Sequence, residues 1–210
     1  MTYSQCIFSI ICNVVIIIGT AAALVHDFFK KGKNGVPARW KVFRFFTILS
    51  NVYSAVVSLI LLLLEVSAFK SGGLQLSPVL AALRFSSAVA VAVTFVTVMV
   101  FLGPHGSYRE LCLGSGLHMH VIGPLLAVIV FCFAEKTAAF PFYNVIWALI
   151  PVILYSILYY YKVVHVGKDK GGWEDFYGFN PDGKWYRAVI AMYAGAFILA
   201  SVMLLLHNRL

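Results

Sequence analysis

Apolar residues occur along the chain in six long runs separated by short polar stretches. The runs extend over Cys6 to Val25, Phe45 to Val66, Pro78 to Leu102, Met119 to Ala134, Phe142 to Val164 and Ala188 to Leu206. A helix of roughly 20 apolar residues crosses a hydrocarbon core of about 30 Å. Counting back about 20 residues from Glu135, taken as the far surface, starts the fourth helix near Ser115. The pattern predicts an all-α, polytopic membrane protein. It would be a single six-helix transmembrane bundle over residues 1–210, with helices at about 6–25, 45–66, 78–102, 115–134, 142–164 and 188–206.

Composition agrees with a bilayer as the solvent of this chain. Hydrophobic residues make up 61% and charged residues 11%, with a mean hydropathy of +0.90. Soluble domains carry about 25% charged residues. A soluble globular domain is therefore excluded.

Basic residues are concentrated in the segments after the first, third and fifth predicted helices, which hold most of the 16 Lys and Arg residues. Cytoplasmic loops of membrane proteins accumulate these residues, so these three loops are expected in the cytoplasm and both termini on the other side. The net charge of +8 then needs no nucleic-acid partner, because anionic headgroups account for it. We expect a multi-pass protein of a bacterial inner membrane or of a eukaryotic endoplasmic reticulum or plasma membrane.

Small polar residues form a stripe on the second predicted helix. Positions i, i+3, i+4, i+7 and i+11 share one helix face, and here they are Thr47, Ser50, Asn51, Ser54 and Ser58. Ser54 and Ser58 fit close helix packing, and Asn51 fits a hydrogen bond inside the bundle. Spacing alone leaves Thr47 open between a residue that bonds the local backbone and a nucleophile.

Two histidines lie near the start of the fourth predicted helix. His118 and His120 are two residues apart, so only one of them can face the bundle interior. Pro124 lacks an N–H, which predicts a free carbonyl at His120, four residues earlier. Thr47 and His120 are expected at similar depth, and a hydroxyl beside an imidazole is the minimum for nucleophilic catalysis. A satisfied structural histidine is the other interpretation.

At these positions the chain resembles the androgen-induced-protein family, which includes the androgen-dependent regulator of tissue factor pathway inhibitor, and its six-helix bacterial relatives. The matching elements are Phe43-x-x-Phe46-Thr47-x-x-Ser50-Asn51, His120-x-x-x-Pro124 and Phe179-x-x-Asp182-Gly183. The resemblance implies an intramembrane hydrolase of fatty acid esters of hydroxy fatty acids. It implies Thr47 as nucleophile and His120 as base. Ser50, Asn51 and His118 would then be supporting polar groups, although the extra His118 leaves the choice of histidine open.

Two other functions compete with a lipid-ester hydrolase acting on a long-chain fatty acyl ester. One is a non-catalytic lipid-binding or transport protein. The other is a metal-dependent lipid enzyme, because imidazole and carboxylate groups cluster near the cytoplasmic face; they are His26, Asp27, His105, His118, His120 and His165. No metal-ligand spacing such as HExxH is present, so no metal and no cofactor is expected. The oligomeric state is left open.

Two further expectations concern polar residues outside the candidate site. Arg84 and Glu65, both near the non-cytoplasmic side, are expected to pair between the second and third predicted helices. The aromatic-rich segment from Gly167 to Trp185 fits either an interfacial lid or an aromatic belt. Within this segment, residues 180–183 read Asn-Pro-Asp-Gly, which predicts a type I turn.

Overall fold

Six principal helices organise the chain. The structure is a computed structural model that describes residues 2–32, 35–71, 76–135 and 139–209, without the side chains of residues 68–71. We name the helices α1 (Tyr3–Phe29), α2 (Phe46–Ser71), α3 (Pro78–His105), α4 (Ser115–Ala134), α5 (Ile150–Val166) and α6 (Trp185–Arg209). A 3₁₀ helix at Arg39–Arg44 precedes α2, and a short helix at Asn144–Ala148 precedes α5. The prediction of an all-α fold is confirmed.

Five of these helices, all but α5, are long and apolar enough to cross a membrane. The α5 helix is shorter because its N-terminal part, Asn144–Ala148, is set off at Leu149, two residues before Pro151. Proline is favoured in the first turn of a helix, so a new helix, α5, begins next to Pro151. Five long apolar helices are consistent with a multi-pass helical membrane protein.

The α3 helix is the central element of the bundle. Its residues from Arg84 to Thr94 are all buried, and its alanines permit close approach of neighbouring helices. One apolar cluster joins α3 to α1, α4, α6 and the segment before α5 through residues such as Phe85, Phe131 and Met203. The rings of Phe85 and Phe131 stack with centroids 4.9 Å apart.

Wide helical turns precede two prolines in the spans. The turns at Thr97–Leu102 and His118–Ile122 are π-helical, with hydrogen bonds from residue i+5 to residue i. In this register Pro104 and Pro124 fail to donate to the carbonyls of Met99 and Met119, five residues earlier. The Tyr108 hydroxyl donates to the Met99 carbonyl instead, at 2.7 Å. The Met119 carbonyl accepts from the Asn51 amide instead, at 2.9 Å. The free carbonyl expected at His120 stays a prediction.

A buried ionic network ties four helices together at the end of the bundle away from the aromatic segment. Arg84 of α3 donates through Nε to the Glu135 carboxylate at 2.6 Å, through Nη1 to Ser58 at 3.0 Å and through Nη2 to Asn13 at 3.1 Å. Asn13 and Ser9 of α1 link this pair to Glu65 of α2. These side chains are at most 1% exposed.

The network corrects two expectations from the sequence. The ionic partner of Arg84 is Glu135, whereas Glu65 is connected to the pair through Ser9 and Asn13. Glu135 does not mark a solvated surface, because only 1% of it is exposed. A carboxylate beside a guanidinium inside the bundle loses its water but gains charge-assisted hydrogen bonds.

The segment after α5 folds back over the bundle. Asp175 organises it by accepting hydrogen bonds from the backbone N–H groups of Phe179 and Asn180 and from the Tyr159 hydroxyl. Residue 182 has φ +54°, in the left-handed region, so the expected type I turn is wrong at its third position. The segment packs on the ends of α2 and α5, as a lid would.

Loss of Arg84 should destabilise the bundle strongly. We expect Arg84→Met to lower the free energy of unfolding by about 3–5 kcal/mol, because it leaves Glu135 buried without a counter-ion. Thermal unfolding of the purified protein in detergent measures the change. Lys168→Met, which breaks the exposed Lys168–Glu174 pair, is the control and should shift the melting temperature little. Equal shifts in the two variants would contradict a structural role for the network.

Candidate functional site

Thr47 lies in the first turn of α2 and lines a cavity between α2, α3, α5, α6 and the folded-back segment. The cavity is narrow, with an internal volume of about 50 Å³, which is room for a few water molecules. Its walls are mostly apolar, with Val93, Val98 and Met192 among them. Thr47 therefore lies on the wall of a small apolar chamber.

Tyr177 contacts the start of α2 through its hydroxyl. Its hydroxyl accepts a hydrogen bond from the Phe46 N–H at 3.0 Å and also interacts with the backbone and the hydroxyl of Thr47. Burial raises the pKa of Tyr177, so its phenol keeps the proton and can donate. The Tyr155 hydroxyl, beside it, donates to the Arg44 carbonyl at 2.7 Å. A proton donor and the positive end of a helix thus converge on Thr47.

Asn51 bridges α2 to α4. Its side-chain amide donates to the Thr47 carbonyl at 2.8 Å and to the Met119 carbonyl at 2.9 Å, and only 1% of the residue is exposed. The Met119 carbonyl is the acceptor that Pro124 leaves without a backbone donor. Asn51 therefore supplies the hydrogen bond that the proline removes, and it holds the first turn of α2 beside the wide turn of α4.

Ser50 is directed toward α3. Its hydroxyl is 2.9 Å from the Thr94 hydroxyl and 3.2 Å from the Thr47 carbonyl. Ser50 is buried, with 2% of its surface exposed. It links the backbone of Thr47 to the central helix, whereas Ser54 of the same stripe is buried without a hydrogen-bond partner for its hydroxyl among the described residues.

His118 packs against α1. Its Nε2 is 3.3 Å from the Thr20 hydroxyl, and a Cβ on Gly19 would lie 2.1 Å from the ring, so only glycine fits there. A Cβ on Gly123 would lie 3.2 Å from the same Nε2 and 3.1 Å from the Asn51 side-chain oxygen. His118 therefore occupies the interior between α1, α2 and α4.

His120 points to a different side of the wide turn. Its Nδ1 is 2.5 Å from the Leu111 carbonyl. A carbonyl only accepts, so Nδ1 carries the hydrogen and Nε2 keeps a lone pair in the neutral ring. This is the tautomer that a general base requires.

The structure brings some of the predicted site residues together and leaves others apart. Asn51 donates hydrogen bonds to Thr47 and to Met119, the residue between the two histidines. Ser50 also contacts Thr47. Among the described residues, no hydrogen bond joins the Thr47 hydroxyl to His118 or His120. The roles of nucleophile and base stay predictions.

A second groove, which opens at the exposed apolar surface of the bundle, adjoins the Thr47 cavity. It runs between α2, α3 and the region around α5, from Pro78 and Asn144 toward Phe46 and Tyr155. Phe46 and Tyr155 line both spaces, and their ring centroids are 5.1 Å apart. This ring pair is the partition between the groove and the chamber that holds Thr47.

Sequence reasoning missed Tyr177 and Tyr155. Both belong to aromatic-rich segments in which many rings are alike, and no spacing rule distinguishes the ring that reaches the start of α2. Pro124 is the signal in the sequence that could have predicted the Asn51 bridge, because a proline leaves one carbonyl without a backbone donor. Placing that carbonyl at Met119 also requires the wide turn of α4, which the sequence does not predict.

Within the described part of the chain, no group of three or more His, Cys, Asp or Glu side chains could hold a metal ion.

Comparison of the chain with profiles of protein families, with curated proteins and with solved structures returned no match. The resemblance to the androgen-induced-protein family rests on the residues that carry it.

Replacing Asn51 by aspartate should loosen the junction of α2 and α4. A carboxylate cannot donate, so Asn51→Asp sets an acceptor against the two carbonyls that the amide now satisfies. We expect a loss of stability of about 1–3 kcal/mol or more, measured by thermal unfolding in detergent. Ser54→Ala is the control on the same buried stripe. Because the Ser54 hydroxyl has no hydrogen-bond partner within the described ranges, that variant should be neutral. An Asn51→Asp protein as stable as Ser54→Ala would refute the bridge.

Proposed function

We propose that this protein is an intramembrane hydrolase of long-chain fatty acid esters, with Thr47 as nucleophile and His120 as base. The observation that carries the proposal is the position of Thr47, on the wall of a small apolar chamber that adjoins a groove of about 870 Å³. An ester carbonyl in the chamber would have its acyl chain in the groove, whose volume lies in the range of small-molecule sites. Hydrolysis needs a nucleophile, a base and donors for the oxyanion.

The Tyr177 hydroxyl, beside Thr47, is the candidate oxyanion donor. The backbone N–H groups of Phe46, Ile48 and Leu49 already donate to Tyr177 or to the Phe45 carbonyl. A phenol donor stabilises the negative oxygen that forms when a hydroxyl attacks an ester. Tyr177 would donate its proton in a hydrogen bond without losing it.

The base assignment is supported by the tautomer of His120. With Nδ1 bonded to Leu111, Nε2 would take the Thr47 proton during attack and return it to the leaving alcohol. Water then hydrolyses the acyl-threonine ester and restores the hydroxyl. Catalytic hydrogen bonds are often long before substrate binds, so His120 would close on Thr47 only in the complex. Asn51, which bridges the two segments, would be the positioning residue.

The groove next to the chamber suits the acyl part of the substrate. It opens toward the region that lipid tails occupy and ends at the Phe46–Tyr155 pair. Rotation of one ring would connect groove and chamber. A chain arriving laterally from the bilayer would then reach Thr47 without crossing water.

A non-catalytic lipid-binding protein is the second candidate. It is favoured by the separation of the Thr47 hydroxyl from both imidazoles, since the neighbour of that hydroxyl is Tyr177. In that case the groove would hold an acyl chain, and no ester bond would break.

The number of membrane passages and the orientation of the termini are also part of the proposal. We propose six membrane passages, with Asn144–Ala148 and Ile150–Val166 together forming the fifth, and both termini on the non-cytoplasmic side. The basic segments after α1, α3 and α5 meet at one end of the bundle, through contacts such as Ser115 to Asp27 and Phe45 to Phe176. Reporter fusions at the two termini test the topology; a cytoplasmic signal from either terminus rejects it.

Removal of the Thr47 hydroxyl should abolish turnover. We expect Thr47→Ala to reduce hydrolysis of a fatty acid ester of a hydroxy fatty acid about a thousandfold or more, and Thr47→Ser to keep measurable activity. Release of free fatty acid by the protein in detergent micelles is the measurement. Ser67→Ala removes a hydroxyl from the far part of α2, bonded only to its own helix, and should leave turnover unchanged.

The two histidines provide the decisive comparison. His120→Gln should lower turnover about 10²- to 10⁴-fold, whereas His118→Gln should lower it less. Full activity in both Thr47→Ala and His120→Gln would reject the hydrolase. If the parent protein and every variant bind the ester but the parent protein does not hydrolyse it, the lipid-binding alternative is established.

A further inference from the structure

A basic recess lies at the end of the bundle that carries Thr47. Lys41 and Arg44 belong to the 3₁₀ helix before α2, and residues three apart on such a helix lie on the same face. Both line a recess whose opposite wall is the end of α1, with Lys30 and Lys31. Both also line an adjoining recess that includes Trp173.

The cations of this recess have few anionic partners. Among the described residues, none of Lys30, Lys31, Lys41 and Arg44 forms an ion pair. Asp27, the acid in the wall, already bonds to Ser115 at 2.6 Å and to His26 at 3.0 Å. Four positive charges therefore line a space with one engaged carboxylate in its wall, and Glu174, the other acid that acts on Arg44, is paired with Lys168 at 2.7 Å.

Arg44 is held in place and keeps an unused donor. Its guanidinium carbon lies 5.0 Å from the Phe45 ring centroid and 5.2 Å from that of Phe176, one ring on each of two segments. Its Nε is buried and has no hydrogen-bond partner in the described part of the chain. Because Nε is buried, an anion in the recess would meet the guanidinium through its two Nη groups, whose parallel donors match two oxygens of a phosphate.

The walls also distinguish a lipid from a free anion. Below the cations the recess is apolar, with Val42, Phe45 and Ile48 in its lining. Trp40 and Trp173 flank the adjoining recess, in the position that tryptophans favour at the membrane surface. A ligand with a phosphate above and a hydrocarbon part below satisfies both regions, whereas inorganic phosphate satisfies only the upper one.

We propose that Lys41 and Arg44, with Lys30 and Lys31, form a binding site for the phosphate of an anionic glycerophospholipid headgroup. The Arg44 guanidinium binds two phosphate oxygens, the lysines supply point charges, and the glycerol end of the lipid lies against the apolar floor. This site is separate from the chamber around Thr47 and does not depend on hydrolysis there.

The test uses the purified full chain in a non-ionic detergent. Dioctanoyl phosphatidylglycerol, dioctanoyl phosphatidylcholine and inorganic phosphate are added in separate titrations, and the melting temperature is measured. A ligand that binds the folded state raises the melting temperature in a saturable way. We expect this with phosphatidylglycerol only. An equal response to phosphatidylcholine overturns the anionic site, and an equal response to inorganic phosphate overturns the lipid assignment.

Charge-matched variants separate a built site from general surface charge. Lys41→Gln with Arg44→Gln should abolish the response to phosphatidylglycerol, whereas Lys168→Gln with Lys170→Gln removes the same charge from a neighbouring loop and should retain it. Equal responses of the two double variants overturn the proposal. Arg44→Lys keeps the charge but loses the two-pronged contact, so it should bind about tenfold more weakly even if the double variant does not fold. Unchanged affinity in Arg44→Lys likewise overturns the assigned role of Arg44.

Discussion

Every polar group placed among these helices must find its partner inside the protein, because lipid offers none. The two prolines in the long spans make this constraint visible. Each removes a backbone donor, the helix widens by one residue before it, and a carbonyl is left over at Met99 or Met119. Side chains from elsewhere fill both acceptors, Tyr108 in one case and Asn51 in the other. The position of Asn51, and with it the junction of α2 and α4, follows from this requirement.

The same constraint divides the bundle into two polar centres. At one end, Arg84 and Glu135 neutralise each other and are joined by hydroxyl and amide groups from α1 and α2. At the other end, hydroxyl and amide groups surround the first turn of α2, and the two imidazoles lie on the neighbouring turn of α4, without a buried ion pair among the described residues there. The first centre has its charges matched and fits a structural role. The second keeps groups that can still exchange protons, which suits chemistry or ligand binding.

The segment after α5 converts an open end of the bundle into a chamber. Tyr177 reaches the first turn of α2, and Asp175 holds the loop that carries it. Rings on both sides of the contact pack edge to face, as Phe45 and Phe176 do. The lid thereby places a phenol beside Thr47 and a ring beside Arg44. One loop thus shapes both the chamber and the basic recess.

The sequence by itself determined the helical class, the approximate spans and the polar stripe from Thr47 to Ser58. These properties depend on hydrophobic runs and on the helical period, which are local and readable. Only the tertiary structure decided that Glu135 rather than Glu65 pairs with Arg84, that Asn51 donates to the Met119 carbonyl, and that Tyr177 reaches Thr47. Each of those contacts joins residues far apart in the chain. Their geometry depends on how helices rotate and widen when they pack, which no periodicity along a single helix specifies.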